Sequence, residues 1–148
     1  MNRIAMEIFI STATTPFSMK KIILDTNFLL IPIQFRVDIF SEIDRICNFN
    51  YKLLIFGKSI DELKNIIKKQ SQRHKKAAEF ALKFIRLKNI EIIESDEKDV
   101  DSLILENLDK DTIVATQDIE LKKKLLKKGA SVIILRQKKY LKLIKKGL

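Results

Sequence analysis

The stretch Lys20–Pro32, KKIILDTNFLLIP, decides the fold of this chain. Its short apolar run, Ile22-Ile23-Leu24, stops abruptly at Asp25-Thr26-Asn27, and a second apolar segment follows. An apolar run of this length between turn-forming residues is typical of a buried strand in a parallel sheet. Because open α/β sheets bind ligands just beyond the carboxyl ends of their strands, Asp25 is expected at such a site. Capping of the next helix is the alternative explanation for an aspartate there.

Short apolar runs and amphipathic segments alternate along the rest of the chain, and this predicts strands separated by helices. Helical connections produce right-handed crossovers and a parallel sheet with helices on both faces, so we expect one three-layer α/β domain. The predicted strands cover 21–24, 53–56, 90–93, 112–115 and 132–135, and the predicted helices cover 37–47, 59–69, 75–87, 100–108 and 119–128. Gly57-Lys58 is expected to form a turn, Gly129 to end the last helix, and residues 137–146 to form a short helix.

The composition is that of a globular protein, with 46% hydrophobic and 32% charged residues among 148. The single cysteine cannot form an internal disulfide, which favours a reducing, cytoplasmic location. No stretch approaches the ~20 apolar residues of a membrane span, so no membrane association is expected. Residues 1–18 are interpreted as an N-terminal extension, either disordered or upstream of the true start, and residues 19–148 as the domain.

The net charge of +10 is concentrated at one end of the chain. Residues 121–148 contain 11 basic residues and no acid, which leaves 18 basic against 19 acidic residues elsewhere. A smaller basic stretch, KKQSQRHKK, covers 68–76. Such clusters attract polyanions through counterion release, although a merely solvated face is the alternative. The candidate RNA-binding residues are Lys68, Lys69, Arg73, Lys75, Lys76, Lys122, Lys123, Arg136, Lys138 and Lys139.

Four acidic residues fall near a strand's carboxyl end or the start of the following helix: Asp25, Glu62, Asp101 and Asp118. The carboxyl ends of parallel strands share one edge of the sheet, so these side chains are expected to converge. Each has a purely structural alternative. Glu62 completes a capping box with Ser59, Asp101 favours a helix dipole, and Asp118 caps the last helix.

Carboxylates crowded together raise one another's pKa unless a cation compensates their charge. Oxygen ligands select Mg²⁺ or Mn²⁺, and the chain lacks the Cys and His of a zinc site. A metal beside a basic surface suits a phosphodiester substrate, with water activated by the metal. The neutral residues Asn27 and Thr116 occupy neighbouring positions, where they are expected to orient water or phosphate.

Several segments together resemble the PIN-domain nucleases. These are IILDTNFLLIP, IDEL, VDSLILE and DTIVATQDIELKKKLLKKGASVIILR, within a likeness that covers roughly residues 19–144. The chain is most similar to an archaeal branch of this family, which is related to the PIN nucleases of eukaryotic small-subunit ribosome assembly. Members of this branch are often named VapC-type ribonucleases.

The resemblance implies a parallel five-stranded sheet in the order 3-2-1-4-5 and RNA cleavage that depends on Mg²⁺, with Mn²⁺ as a substitute. It places the family's four acids on Asp25, Glu62, Asp101 and Asp118. Asp25, Asp101 and Asp118 would hold the metal, and Glu62 would be a further ligand or a water-positioning base. The third acidic site, usually a pair of aspartates, holds Asp101 alone.

Two biological roles fit this resemblance: maturation of ribosomal RNA, or a VapC-like toxin. The expected partners are RNA, with a ribosomal RNA precursor favoured, an antitoxin or ribosome-assembly protein, and a second copy of the chain. A non-catalytic RNA-binding scaffold is the main alternative. A haloacid-dehalogenase-like phosphatase also opens with a strand and an aspartate, but that family needs a second aspartate where this chain has Asn27.

Overall fold

Strands and helices alternate along the residues that a computed structural model describes, 19–69 and 71–145. The strands are β1 (Lys20–Leu24), β2 (Tyr51–Phe56), β3 (Glu91–Ile93), β4 (Thr112–Ala115), β5 (Ser131–Arg136) and β6 (Tyr140–Ile144). The α-helices are α1 (Ile31–Phe35), α2 (Ile39–Ile46), α3 (Gly57–Lys69), α4 (Gln72–Leu87), α5 (Val100–Glu106) and α6 (Ile119–Lys127), and a 3₁₀ helix (Thr26–Leu30) follows β1. The predicted extension over 1–18 lies outside the described residues.

The strands form one sheet in the order β3-β2-β1-β4-β5-β6. The first five are parallel, and in the central register Ile22 of β1 lies between Leu53 and Ile113. The predicted α/β class and the order 3-2-1-4-5 are therefore confirmed. The prediction of five strands is wrong, because β6 pairs antiparallel with β5 and extends the sheet.

The strand β6 replaces the short helix that we predicted over 137–146. Its side chains alternate, with Leu141 buried and both Tyr140 and Lys142 exposed. So short an apolar pattern also fits one helical turn, which is why sequence alone could not decide. Helix α2 holds the strand in place. Glu42 accepts the Leu141 N–H at 2.9 Å, and the Arg45 guanidinium donates to the Leu141 carbonyl at 3.2 Å.

Glycine positions produced one wrong prediction and one that is confirmed. Gly57 and Lys58 do not form a turn; they begin α3 directly after β2. Gly129 follows α6 with a φ of +79°, the left-handed conformation that glycine adopts most readily. Its N–H donates to the Leu126 carbonyl at 3.0 Å and ends the helix as expected.

Alternate side chains of the central strands pack into two separate cores on opposite faces of the sheet. Ile22 and Leu24 belong to one core with α2, α3 and α4, whereas Ile23 belongs to the other with α5 and α6. The predicted three-layer architecture is confirmed, and the carboxyl ends of β1, β2, β3 and β4 lie along one edge. In the described part of the chain, no helix has the length and hydropathy needed to cross a membrane.

Candidate active site at the carboxyl edge of the sheet

An open cavity of about 660 Å³ lies at this edge, and all four predicted acids line it. They come from four different parts of the fold: the end of β1, α3, α5 and the start of α6. The predicted convergence of Asp25, Glu62, Asp101 and Asp118 on one cavity is what the structure shows. Its other polar lining residues are Thr26, Asn27, Asn65, Asp99, Ser102 and Lys124.

Asp25 is the most deeply placed of the acids, with only 5% of its surface exposed. The Thr116 hydroxyl donates to its Oδ2 at 2.6 Å, and the Thr26 N–H donates to its Oδ1 at 2.9 Å. Burial raises the pKa of Asp25 to about 6; the Thr116 hydrogen bond opposes this shift, and the negative charges of Asp101 and Glu62 add to it. Asp25 caps the 3₁₀ helix through Oδ1, so the capping and functional explanations both apply to it.

Glu62 is held by the Thr26 hydroxyl, which also contacts the Ser59 hydroxyl. The Thr26 hydroxyl donates to its Oε1 at 2.5 Å and lies 2.7 Å from the Ser59 hydroxyl. Ser59 is fully buried at the third residue of α3, not at the helix cap. The capping-box alternative is therefore wrong, because β2 runs directly into the helix. This role of Ser59 was not evident from the sequence, because SxxE also matches the capping pattern.

Asp101 lies in the first turn of α5 and is partly exposed. Asp99, not Asp101, caps this helix, since its Oδ1 accepts the Ser102 N–H at 2.7 Å. Burial raises the pKa of Asp101, with further contributions from the negative charges of Asp118 and Asp99, while Lys124 opposes the shift. The Asp101 side chain therefore faces the cavity under repulsion from its neighbours.

Asp118 caps α6, as its structural alternative predicted. Its Oδ1 accepts the N–H groups of Glu120 and Leu121 at 2.9 and 3.2 Å. Within the described residues, its Oδ2 has no hydrogen-bond partner and stays available to a ligand. Its own N–H donates to the Thr116 hydroxyl at 3.0 Å, so this one buried threonine joins Asp25 to Asp118.

The two neutral residues predicted beside the acids differ in position. Asn27 lines the cavity, but its Oδ1 accepts the Gln117 N–H at 3.2 Å and its carbonyl accepts from the Gln117 side chain at 2.7 Å. Asn27 thus ties the end of β1 to the end of β4. Thr116 is only 1% exposed, so it acts on the site through the carboxylates that it positions.

The carboxylates share the cavity without forming a ready coordination shell. Among residues 19–69 and 71–145, no three His, Cys, Asp or Glu side chains are close enough together to hold a metal ion. The negative charges of Asp101 and Glu62 nevertheless act on Asp25, and that of Asp118 acts on Asp101, as expected of like charges in a partly desolvated site. Oxygen donors of this type still suit a hard divalent cation.

Lys124 of α6 is a cavity residue that was not predicted from the sequence. It is the one basic residue among the cavity's lining residues, and its charge acts on both Asp101 and Asp99. It belongs to a run of three lysines, 122–124. The buried positions Leu121 and Leu125 fix the phase of α6, and only the packing of that helix selects which lysine reaches the acids.

The predicted RNA-binding residues fall into two surface groups. Lys68, Lys69, Arg73, Lys75 and Lys76 lie where α3 ends and α4 begins. Lys122 and Lys123 lie on α6, Arg136 ends β5, and Lys138 and Lys139 lie in the turn between β5 and β6. Lys122 and Lys138 line a smaller cavity next to Asp118.

Comparisons with known proteins agree with this fold. Residues 22–138 match the family described as a PIN like domain. The chain is 32% identical over 124 residues to Ribonuclease VapC4 of Methanocaldococcus jannaschii, covering 82% of this chain and 95% of that protein. The structure of the PIN domain endonuclease Utp24 superposes with a TM-score of 0.69 at 20% identity, covering 84% of this chain and 91% of that one, which indicates a shared fold. The resemblance that the sequence carried is confirmed, and the chain belongs to the PIN-domain family.

Proposed function

We propose that this protein is an endoribonuclease that hydrolyses RNA phosphodiester bonds with the help of Mg²⁺ or Mn²⁺. One observation carries the proposal: the four predicted carboxylates, which come from separate elements, line a single open cavity at the carboxyl edge of the sheet together with Asp99 and one lysine. A relative named as a ribonuclease and a structural neighbour named as an endonuclease support it.

The donor set fits a hard divalent cation. Asp25, Asp101 and Asp118 would hold the ion, because they offer carboxylate oxygens and repel one another without it. Such an ion, when bound, supplies positive charge that lowers the pKa of an attacking water and stabilises the leaving oxygen. Binding it would also remove the cost of ionising the buried Asp25.

The remaining steps of the reaction are assigned to side chains of the protein. Glu62, fixed by the Thr26 hydroxyl, positions the attacking water and accepts one of its protons. The water oxygen forms a new bond to phosphorus, the bond from phosphorus to the leaving oxygen breaks, and the leaving oxygen takes a proton from solvent. Lys124 contacts the phosphate and offsets the negative charge that the acids place near it.

The basic residues on either side of the cavity would bind the RNA backbone. Phosphate contacts of this kind are independent of sequence and weaken steeply with salt. We assign this role to the two surface groups described above, Lys68, Lys69, Arg73, Lys75 and Lys76 in one and Lys122, Lys123, Arg136, Lys138 and Lys139 in the other.

The decisive test is cleavage of labelled single-stranded RNA in Mn²⁺, repeated in EDTA and with Asp25→Asn. We expect cleavage by the wild type alone, with no product in EDTA or from the variant. Asp96→Asn is the matched control, since Asp96 is exposed and lies outside the cavity. If Asp25→Asn cut as fast as wild type, or if no RNA were cut while binding persisted, the non-catalytic scaffold would replace the nuclease.

For the biological role, we propose action in the cytoplasm in ribosomal RNA maturation, with a VapC-like toxin as the second candidate. The first is in keeping with the neighbour Utp24, the second with the relative Ribonuclease VapC4. The corresponding partners are a ribosome-assembly protein or an antitoxin, and in both cases a second copy of the chain. Crosslinking to RNA in the host followed by sequencing separates the two: ribosomal RNA precursors support maturation, whereas transfer or messenger RNA supports the toxin.

A further inference from the structure

A second cavity, of about 420 Å³, adjoins the first at Asp118, which lines both. Phe35 at the end of α1 contributes an aromatic ring, and Ile119, 64% exposed, adds apolar surface. Gln117 and Gln137 contribute amide side chains. The second cavity therefore combines apolar and amide surface, and Asp118 is the one carboxylate among its lining residues, unlike the carboxylate cavity beside it.

Two lysines give the second cavity a positive charge. The Lys138 ammonium lies over the Phe35 ring, 6.0 Å from its centroid, and Lys122 of α6 lines the same space. Neither lysine forms a salt bridge with a carboxylate in the part of the chain that the structure describes. Positive charge next to Asp118 allows an anion to approach an edge that the acids would otherwise repel.

We propose that this cavity binds one nucleotide of single-stranded RNA, next to the bond that the carboxylate cavity cleaves. The base would stack on Phe35 in place of the Lys138 ammonium, and the amides of Gln117 and Gln137 would contact its edge. Lys138, displaced from the ring, would pair with the phosphate together with Lys122. The strand must be single because a paired base cannot present its face to an aromatic ring. This subsite rests on the proposed ribonuclease function and adds a source of base preference to it.

The turn between β5 and β6 supports the assignment. Its central residues, Gln137 and Lys138, have φ angles of 51° and 56°, and the Lys139 N–H donates to the Arg136 carbonyl at 2.9 Å. Turns with two positive φ angles favour Asn-Gly, because at positive φ the Cβ atom of a longer residue comes too close to the backbone carbonyl oxygen. Here both strained positions carry long polar side chains that line the cavity, and a function for those side chains explains their presence.

Binding of a fluorescein-labelled 12-nucleotide single-stranded RNA, measured by anisotropy in EDTA, tests the stacking surface without cleavage. We expect Phe35→Leu to weaken binding about ten-fold and Phe35→Tyr to preserve it. A 12-residue abasic ribose-phosphate strand should bind wild type and Phe35→Leu equally. Equal loss on both strands, or no loss on the RNA, would overturn the subsite.

Replacing the turn by Asn-Gly, with Gln137→Asn and Lys138→Gly together, separates structure from recognition. We expect a higher melting temperature, since the strain is relieved, and at least three-fold weaker RNA binding. Lys142→Gln, which removes a lysine of β6 outside the cavity, is the control and should weaken binding less. A more stable variant with unchanged RNA affinity would mean that the turn does not bind RNA.

Cleavage assays in Mn²⁺ distinguish failure of the subsite from failure of the proposed function. If wild type cleaves RNA but the KM values for oligouridylate and oligoadenylate are unchanged in Phe35→Leu, the subsite is wrong and the nuclease stands. If wild type cleaves no RNA, the nuclease is wrong. In the expected result, Phe35→Leu raises KM and reduces the difference between the two RNAs, while kcat stays within two-fold.

Discussion

The two sides of the carboxylate cavity are built differently. On the side of β1 and α3, Asp25 is 5% exposed and accepts the Thr116 hydroxyl, while Glu62 accepts the buried Thr26 hydroxyl, which also contacts Ser59. On the side of α5 and α6, Asp101 accepts no protein hydrogen bond within the described residues, and Lys124 is exposed. The first side is fixed by the fold, whereas Asp101 and Lys124 on the second side are left to be ordered by what binds.

This difference has a physical reason. Buried polar groups are costly unless they are fully hydrogen-bonded, and no buried side-chain nitrogen or oxygen in the described part of the chain lacks a partner. Partly exposed carboxylates can instead be satisfied by water and can move. We therefore expect substitutions on the fixed side to change both activity and stability, and substitutions of Asp101 or Lys124 to change activity and metal binding alone.

The largest expected effect is on the proposed water-positioning residue of the fixed side. Glu62→Gln keeps an acceptor for the Thr26 hydroxyl but removes the base, so kcat should fall by roughly 10²–10⁴-fold. Single-turnover cleavage in Mn²⁺ measures this. Glu97→Gln, an exposed acid outside the cavity, is the control. A loss confined to KM would show that Glu62 binds substrate and does not act as the base.

The second-largest effect should come from the ionisation of Asp25, which should make the stability of the metal-free protein depend on pH. Its folded pKa of about 6 exceeds the ordinary 3.8, so the folded state retains a proton that the unfolded state has lost between those values. Stability from this group is fully present below pH 4 and is lost as pH rises through 6. Urea unfolding in EDTA should therefore show that, between pH 4 and pH 7, the free energy of unfolding of Asp25→Asn rises relative to that of wild type by up to about 3 kcal/mol. A pH-independent difference would mean that Asp25 ionises at its ordinary pKa.

A smaller but double effect is expected at Thr116, which joins Asp25 to Asp118. Thr116→Val removes the donor to one and the acceptor for the other, which should cost about 1–3 kcal/mol in the free energy of unfolding. Cleavage should fall about 10–100-fold, as for other residues that position ligands. Thr116→Ser keeps the hydroxyl and should restore both. Full activity in a destabilised Thr116→Val variant would contradict the positioning role.

The smallest effect should come from Lys124 on the exposed side. Lys124→Gln makes the cavity more negative, so Mn²⁺ should bind more tightly while cleavage slows about ten-fold, which corresponds to about 1.4 kcal/mol. Calorimetric titration measures the Mn²⁺ affinity, and cleavage assays measure the rate. Lys127→Gln changes the same charge on α6 outside the cavity and should leave both within two-fold. Parallel loss of metal binding and cleavage would argue against a direct phosphate contact.

The sequence was sufficient for much of the fold because its strands are short apolar runs with clear ends. The run Ile22-Ile23-Leu24 predicted β1, and the repeated strand–helix alternation predicted the three layers. It failed where a pattern is compatible with two structures. The tail residues 140–144 fit either one helical turn or a strand, and only pairing with β5 decided for the strand. SxxE at Ser59 matched a cap but lies inside a helix that begins at Gly57.

The four acids of the candidate site were predictable for a related reason. Parallel connectivity brings the strand ends to one edge, so position relative to the strands was enough to place Asp25, Glu62, Asp101 and Asp118 around one cavity. The hydroxyl side chains that hydrogen-bond these acids were not predictable. Thr116 lies 91 positions after Asp25 in the chain, and a contact of that separation leaves no local pattern.

By itself, then, the sequence determined the class of fold, the edge at which the acids gather and the basic ends of the surface, because hydrophobic periodicity and charge are local properties. Tertiary structure alone decided which acid is buried, which lysine faces the acids, and that Phe35 lies beside the turn at Lys138. Burial and contact depend on how helices settle on the sheet, and that packing is set by residues far apart in the chain.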